Sequence, residues 1–134
     1  MTDLAALAFL GGRVAYAGVL AFMALGNLLD REASVGYAAS KGVPLADVAV
    51  PTGSLLLLAG AAAIALGVYP LVGVAAVAVF LVAVTPAMHD FWTMEGQQRD
   101  AERAQFLKNV GLLGTALLLA GVASWPLAVG GSLA

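Results

Sequence analysis

The chain is expected to fold as an all-α integral membrane four-helix bundle. Three observations carry that expectation. Of its 134 residues 62% are hydrophobic, and only 10% are charged, far below the roughly 25% of an average soluble domain. A soluble domain of this size cannot hide that much apolar surface, because small domains keep a large share of their surface in contact with solvent. The apolar residues are also gathered into four long runs, separated by short polar stretches.

The chain reads as one domain over residues 1–134, with helices at about 9–29, 45–68, 71–90 and 98–125. The first apolar run extends from Phe9 to Leu29 and, with the Gly11-Gly12 region, reaches the roughly 20 residues that span a bilayer. Arg13 and Tyr16 near its start are expected to anchor at headgroup depth, the arginine by snorkelling. Asp3 stands where a secretory leader carries a basic residue, so this end is expected to belong to the mature protein.

A loop over residues 30–51 follows. Ala33 to Ser40 can form two turns of helix stopped by Gly42, with Tyr37 as an interfacial anchor. Pro44 suits the first turn of the next helix, and Pro51 either kinks that helix or begins its membrane part. The uncharged runs Thr52–Val68 and Leu71–Met88 are separated only by a turn at Tyr69-Pro70. They are therefore an antiparallel hairpin. Pro86 lies one turn from the end of the second and should loosen the backbone there.

Residues Glu95 to Gln105 are strongly polar. Glu95 with Arg99, Arg99 with Glu102 and Asp100 with Arg103 all stand at helical pairing distance. The fourth apolar run extends from Phe106 to about Trp125 and is stopped by Pro126. Small residues recur four apart at Ala17-Ala21, Ala59-Ala63-Gly67 and Ala116-Ala120-Ser124, a spacing that lets helices approach closely in lipid and suits either internal packing or a homo-oligomer seam.

Four spans put both termini on one side. Arg13 is the only basic residue there; Arg31, Lys41, Arg99, Arg103 and Lys108 lie on the other. The excess of Lys and Arg on cytoplasmic loops then predicts a multi-pass cell-membrane protein with long loops cytoplasmic and both termini outside.

Composition also removes function classes. With no cysteine, thiol redox chemistry and thiolate metal sites are absent, and one histidine cannot supply a bis-His haem or a His-rich metal cluster. No metal or haem is therefore expected in the monomer. The formal net charge of -2 offers no field for nucleic acid. A redox role would need an organic cofactor or a partner's cofactor.

The polar residues that remain are one-sided. Asn27 and Asp30 end the first helix, and His89-Asp90-Phe91-Trp92 ends the third. Gln105, Lys108 and Asn109 open the fourth at the same face. An unpaired charge near lipid is costly, so Lys108 is expected to pair with Asp90 or Asp30, or to snorkel. His89, Asp90, Lys108 and Asn109 are expected to converge within direct or one-water hydrogen-bond reach. A neutral imidazole beside a lysine can bind or protonate a quinone carbonyl, with Phe91 and Trp92 covering the ring. The plainer alternatives are also open. His89 and Trp92 serve equally as interface anchors, Arg13 as a snorkelling anchor rather than a ligand, and Asn27 as an interhelical hydrogen bonder.

The pattern resembles the DoxX family. The residues that carry the resemblance are Arg13, Gly42-Val43-Pro44, Ala59-Gly60 with Gly67, His89 to Trp92, and Gln105 to Asn109 with Gly114, covering about residues 11–124. The low lysine content and Ala- and Val-rich helices are similar to haloarchaeal members. The resemblance implies a four-helix membrane protein and a small accessory subunit of a quinone-linked membrane oxidoreductase, with quinone as the cofactor and an oxidoreductase subunit as partner. It does not by itself imply catalysis. The alternative is a non-catalytic scaffold or assembly factor that binds a soluble partner at the cytoplasmic face. Leu57 stands where many relatives carry Glu, and Asn27 and Leu28 replace a basic residue common near the end of the first helix. Where those residues handle protons in relatives, the resemblance implies that this chain lacks that step.

Overall fold

The structure is a computed structural model that describes residues 3–130. Among these the chain is helical, with no strand: α1 Asp3–Leu29, α2 Arg31–Ser40, α3 Ala46–Leu66, α4 Pro70–Met88, a 3-10 turn Phe91–Thr93, and α5 Gly96–Ala120. There are five α-helices where four were expected. The additional one is α2, the short helix anticipated over residues 33–40, which begins two residues earlier at Arg31.

Three stretches are long and apolar enough to cross a membrane: α1, α3, and α4 continued to Thr93. The expected fourth span differs. Helix α5 is polar through Gln105, carries Lys108 and Asn109 beyond that, and ends at Ala120 rather than near Trp125. Its uninterrupted apolar part, residues 110–120, covers roughly half of a 30 Å hydrocarbon core at 1.5 Å per residue. The helix stops at Gly121, whose N–H turns back onto the Leu118 carbonyl while the Val122 N–H meets that of Leu119, and Pro126 bars helical geometry at Trp125. In the other direction α1 starts at Asp3, well before Phe9, because residues 3–8 are good helix formers.

The helices pack in chain order, α1 on α3, α3 on α4 and α4 on α5, with α2 lying against α3. The core that joins them includes Leu20, Ala24, Leu57, Ile64, Val77, Leu81 and Ala116. The α3–α4 hairpin has the closest backbone approach. A Cβ on Gly73 would come within 2.7 Å of the Ala63 Cβ, and one on Gly60 within 3.0 Å of the Gly73 carbonyl. The small-residue stripe that packs is therefore Gly60 with Ala63. Ala59 faces outward, and so does Ala120 of the α5 stripe, while Ser124 lies beyond the helix.

Arg13 does not snorkel. It is 2% exposed and sits inside the bundle. Its Nε donates to the Ala65 carbonyl at 3.3 Å, its Nη1 to the Pro126 carbonyl and its Nη2 to the Leu127 carbonyl at 2.6 Å. Phe9 and Trp125 flank the guanidinium at 5.7 and 5.8 Å, a cation–π arrangement. Ala65 lies in the last turn of α3, where carbonyls lack helical partners and favour a cation. The next carbonyl, Leu66, accepts from Val129 N–H at 2.8 Å. The non-helical segment after Gly121 is thus tied to the end of α3 through both its carbonyls and an amide. Gly67 makes the seat possible: its φ is +71°, and a Cβ there would lie 2.7 Å from the Ala128 Cβ.

Tyr16 is also buried rather than at headgroup depth. One turn along α1 from Arg13, it donates its hydroxyl to the Leu112 carbonyl of α5 and joins the first helix to the last.

Arg13→Lys keeps the charge but cannot span three carbonyls with a planar fork. Charge-assisted hydrogen bonds contribute about 1.5–3 kcal/mol each. The variant should lose about 2 kcal/mol or more of stability in detergent, and its C-terminal segment should become the first site of protease cleavage. An unchanged melting temperature together with a protected C-terminal segment contradicts this account.

Candidate functional site

The end of the bundle opposite Arg13 holds α2, the 3-10 turn and the start of α5. Among the described residues, the two close ion pairs between helical elements lie here, but with partners different from those expected. Asp90 pairs with Lys41, Oδ1 to Nζ at 2.7 Å, and not with Lys108. Lys41 follows the last residue of α2, so the pair ties that helix to the end of α4. Thr93 supports the carboxylate, donating its hydroxyl to Asp90 Oδ2 at 3.2 Å and to the Asp90 carbonyl at 2.8 Å. Tyr37, expected as an interfacial anchor, donates its hydroxyl to the Met88 carbonyl at 3.0 Å and lies under the Lys41 ammonium, 5.6 Å from ring centroid to Nζ.

His89 pairs with Glu102, Nδ1 to Oε2 at 2.6 Å, with both side chains about 20% exposed. This removes Glu102 from the expected pairing with Arg99. Among the three spaced charge pairs of α5, Asp100 with Arg103 forms an exposed contact at 3.7 Å.

The expected convergence of His89, Asp90, Lys108 and Asn109 is therefore not what the structure holds. Lys108 donates to Gln105 Oε1 of its own helix at 2.7 Å on an exposed face. Asn109 is 1% exposed, and its Oδ1 has no hydrogen-bond partner. The physical reason is rotation. Residues 108 and 109 are about 100° apart around a helix axis, so they cannot share the face that meets α4. Glu102, one to two turns nearer the helix start, faces His89 instead.

Phe91, Trp92 and Phe106 form an edge-to-face trio with centroids 5.4–5.8 Å apart. Trp92 remains 56% exposed, so these rings pack against one another and close off the α4–α5 connection. Asn27 keeps the expected role of an interhelical polar contact, accepting from Ser34 Oγ at a long 3.5 Å. Asp30 sits at the junction of α1 and α2, where its carbonyl accepts from Ser34 N–H at 3.1 Å. Arg13, the other secondary candidate, belongs to the far end described above.

The same end carries an open cleft of about 500 Å³ between α2, α3 and α4. Its walls are mainly apolar, with Asn27, Ser34, Lys41 and Ser54 as the polar side chains. Lys41, Tyr37, Glu102 and Ser54 were not singled out from the sequence as site residues. For Lys41 and Glu102 a usable signal existed, since each is a charge near the end of a membrane-length apolar run and needs a counter-ion. A lone serine in the Thr52–Val68 run carries no such signal. No grouping of three or more His, Asp or Glu able to hold a metal occurs among the described residues.

Hydrogen bonding to Asp90, outweighing desolvation, raises the Lys41 pKa above its ordinary value of 10.5. A raised folded-state value means the pair's contribution is complete below the ordinary lysine range and is lost as pH climbs through the raised one. The melting temperature of the native chain should therefore exceed that of Lys41→Met by a constant margin at neutral pH. The margin should vanish above the raised value. A difference that persists unchanged at high alkaline pH means the lysine acts through packing alone.

Compared with models of protein families, with characterised proteins and with solved structures, the chain matches none.

Proposed function

We propose that this chain is a DoxX-like integral membrane protein that serves as a small accessory subunit of a quinone-linked membrane oxidoreductase. The ion-paired end lies at the cytoplasmic face, and both termini lie outside. The observation that carries the reading is the division of chemistry along the bundle. Three stretches are apolar and long enough to cross a bilayer, and the two close ion pairs stand together at one end, beside an apolar cleft. Five of the six basic residues belong to that end of the chain, which supports the orientation.

Quinone reduction takes up two electrons and two protons. The electrons would come from a redox centre in the partner, and the protons need a relay at the membrane surface. An imidazole hydrogen-bonded to a carboxylate, with both side chains about 20% exposed, is suited to passing a proton between water and the bundle. His89 with Glu102 supplies that arrangement. The cleft offers apolar walls for the ring and neutral hydrogen-bonding groups for its oxygens.

A second reading, a non-catalytic scaffold or assembly factor, draws on the exposed Trp92 and the exposed charges of Asp100 and Arg103 at the same end. Such a mixed aromatic and charged surface suits a soluble partner.

Organic extraction of the purified protein should release a quinone, identified by its ultraviolet absorbance and its change on reduction. His89→Ala should lower quinone-dependent electron transfer in membranes by about 100-fold in a protein that keeps its helical circular-dichroism spectrum. A protein that retains no quinone and tolerates His89→Ala in that assay is the scaffold. Because the sequence contains no cysteine, orientation can be read with Glu95→Cys. A membrane-impermeant maleimide should label it only after cells are opened, and labelling in intact cells reverses the topology.

A further inference from the structure

We propose that the cleft between α2, α3 and α4 binds a single neutral, lipid-soluble molecule bearing a carbonyl or hydroxyl oxygen, and that the Ser54 hydroxyl is the group that recognises that oxygen. A quinone is one member of this class, but the inference does not need the oxidoreductase reading. It follows from the cleft's volume, its charge balance and one unpartnered hydroxyl.

The volume of about 500 Å³ lies in the range of small-molecule sites. The walls are made by apolar side chains such as Val50, Leu56, Val79 and Val84. Leu56 and Val79 are also exposed on the outside of the bundle, so the cleft opens toward the surroundings of α3 and α4. A ligand partitioned in lipid can enter there without crossing water.

Charge decides against an anion. Lys41 lines the mouth, but its ammonium is held 2.7 Å from the Asp90 carboxylate. The pair has no net charge to offer a phosphate or a fatty acid, and breaking it would leave Asp90 uncompensated. The remaining polar lining is neutral: the Asn27 amide and the hydroxyls of Ser34 and Ser54. Ser34 already donates to Asn27.

Ser54 is the group left over. It is 1% exposed, and its Oγ has no hydrogen-bond partner. A serine or threonine inside a helix ordinarily turns its hydroxyl onto the carbonyl four residues back. Thr115 in α5 does so, donating to Gly111 at 3.0 Å. Ser54 makes no such bond to Val50. A buried hydroxyl without a partner is costly, and a ligand oxygen in the cleft removes that cost. Gly53 lies beside it in the same wall, close to the Phe80 ring: a Cβ there would stand in ordinary contact with it at 3.5 Å.

The test uses the full chain in lipid nanodiscs and a diazirine-bearing long-chain methyl ketone as photoprobe. Its competitors are the unlabelled ketone, alkane and carboxylate of equal chain length. Modified peptides should map to residues 50–56 and 79–87. The ketone should compete at least about tenfold better than the alkane or the carboxylate, reflecting a hydrogen bond the others lack or a charge the site does not balance. Ser54→Ala should raise the ketone concentration needed for half-competition roughly three- to tenfold. Ala83→Phe, placed on an exposed position of the α4 wall, should fill the cleft and abolish labelling of a protein that still melts like the native one. Equal competition by the alkane means the cleft only holds lipid tails, and preference for the carboxylate means an anionic headgroup site. Labelling elsewhere, or an unchanged competition curve for Ser54→Ala in folded protein, also overturns the proposal.

Discussion

A guanidinium buried among three backbone carbonyls determines how this chain can close. Arg13 has no carboxylate partner among the described residues; its hydrogen bonds run to Ala65, Pro126 and Leu127. The last turn of α3 and the irregular segment after α5 both present carbonyls without helical partners, and apolar surroundings leave such groups no water to bond with. One planar cation with donors fanned in a fixed geometry satisfies both sets. Non-helical backbone is tolerated at this position because the bundle itself solvates it. Other features follow from that seat: glycine at position 67, the Val129 amide on Leu66, and Phe9 packed edge-on against Trp125 at 5.3 Å.

The opposite end solves a different problem. Three helix junctions meet there, and each brings a charge close to apolar helices. Lys41 and Asp90 neutralise each other across α2 and α4, while His89 and Glu102 do so across α4 and α5. The first pair joins residues 49 apart in the chain and the second residues 13 apart, and together they help fix where the short α2 and the polar start of α5 sit relative to the hairpin. The cleft exists because α2 is held over the mouth of the α3–α4 groove by Lys41 and by Tyr37 on the Met88 carbonyl. The charges that anchor the wall of the cleft are thereby spent on one another, and its interior keeps only neutral groups. Function and architecture are coupled at this point: the same contacts that pin α2 set the chemical character of what the cleft can hold.

Much of the fold was legible in the sequence. Hydrophobic runs, turn residues and proline positions report on local structure, since they act over a few residues. They correctly indicated an all-helical chain, the α3–α4 hairpin at Tyr69-Pro70, and the short helix before Gly42. They also correctly gathered Asn27, Asp30, His89 and Asp90 at one end, which follows from the direction of successive helices alone. They overreached at the fourth apolar run. Hydropathy there continues to Trp125, whereas Gly121, Pro126 and the pull of Arg13 on the following carbonyls end the helix at Ala120.

What the tertiary structure decided was partnership. Whether Asp90 meets Lys108 or Lys41 depends on helix rotation and axial stagger, and a single residue's shift along a helix turns a side chain by about 100°. The sequence placed both lysines at the same end of the helices and had no means of choosing between them. The same geometry sent Glu102 rather than Lys108 to His89 and buried Asn109. Arg13 shows the limit most clearly. Its position near a helix start suggests a snorkelling anchor, because its three acceptors are backbone carbonyls, which every residue possesses and which leave no mark in the sequence. The composition determined that the chain is helical and apolar; packing alone decided which polar groups it could bury and which it leaves waiting for a partner.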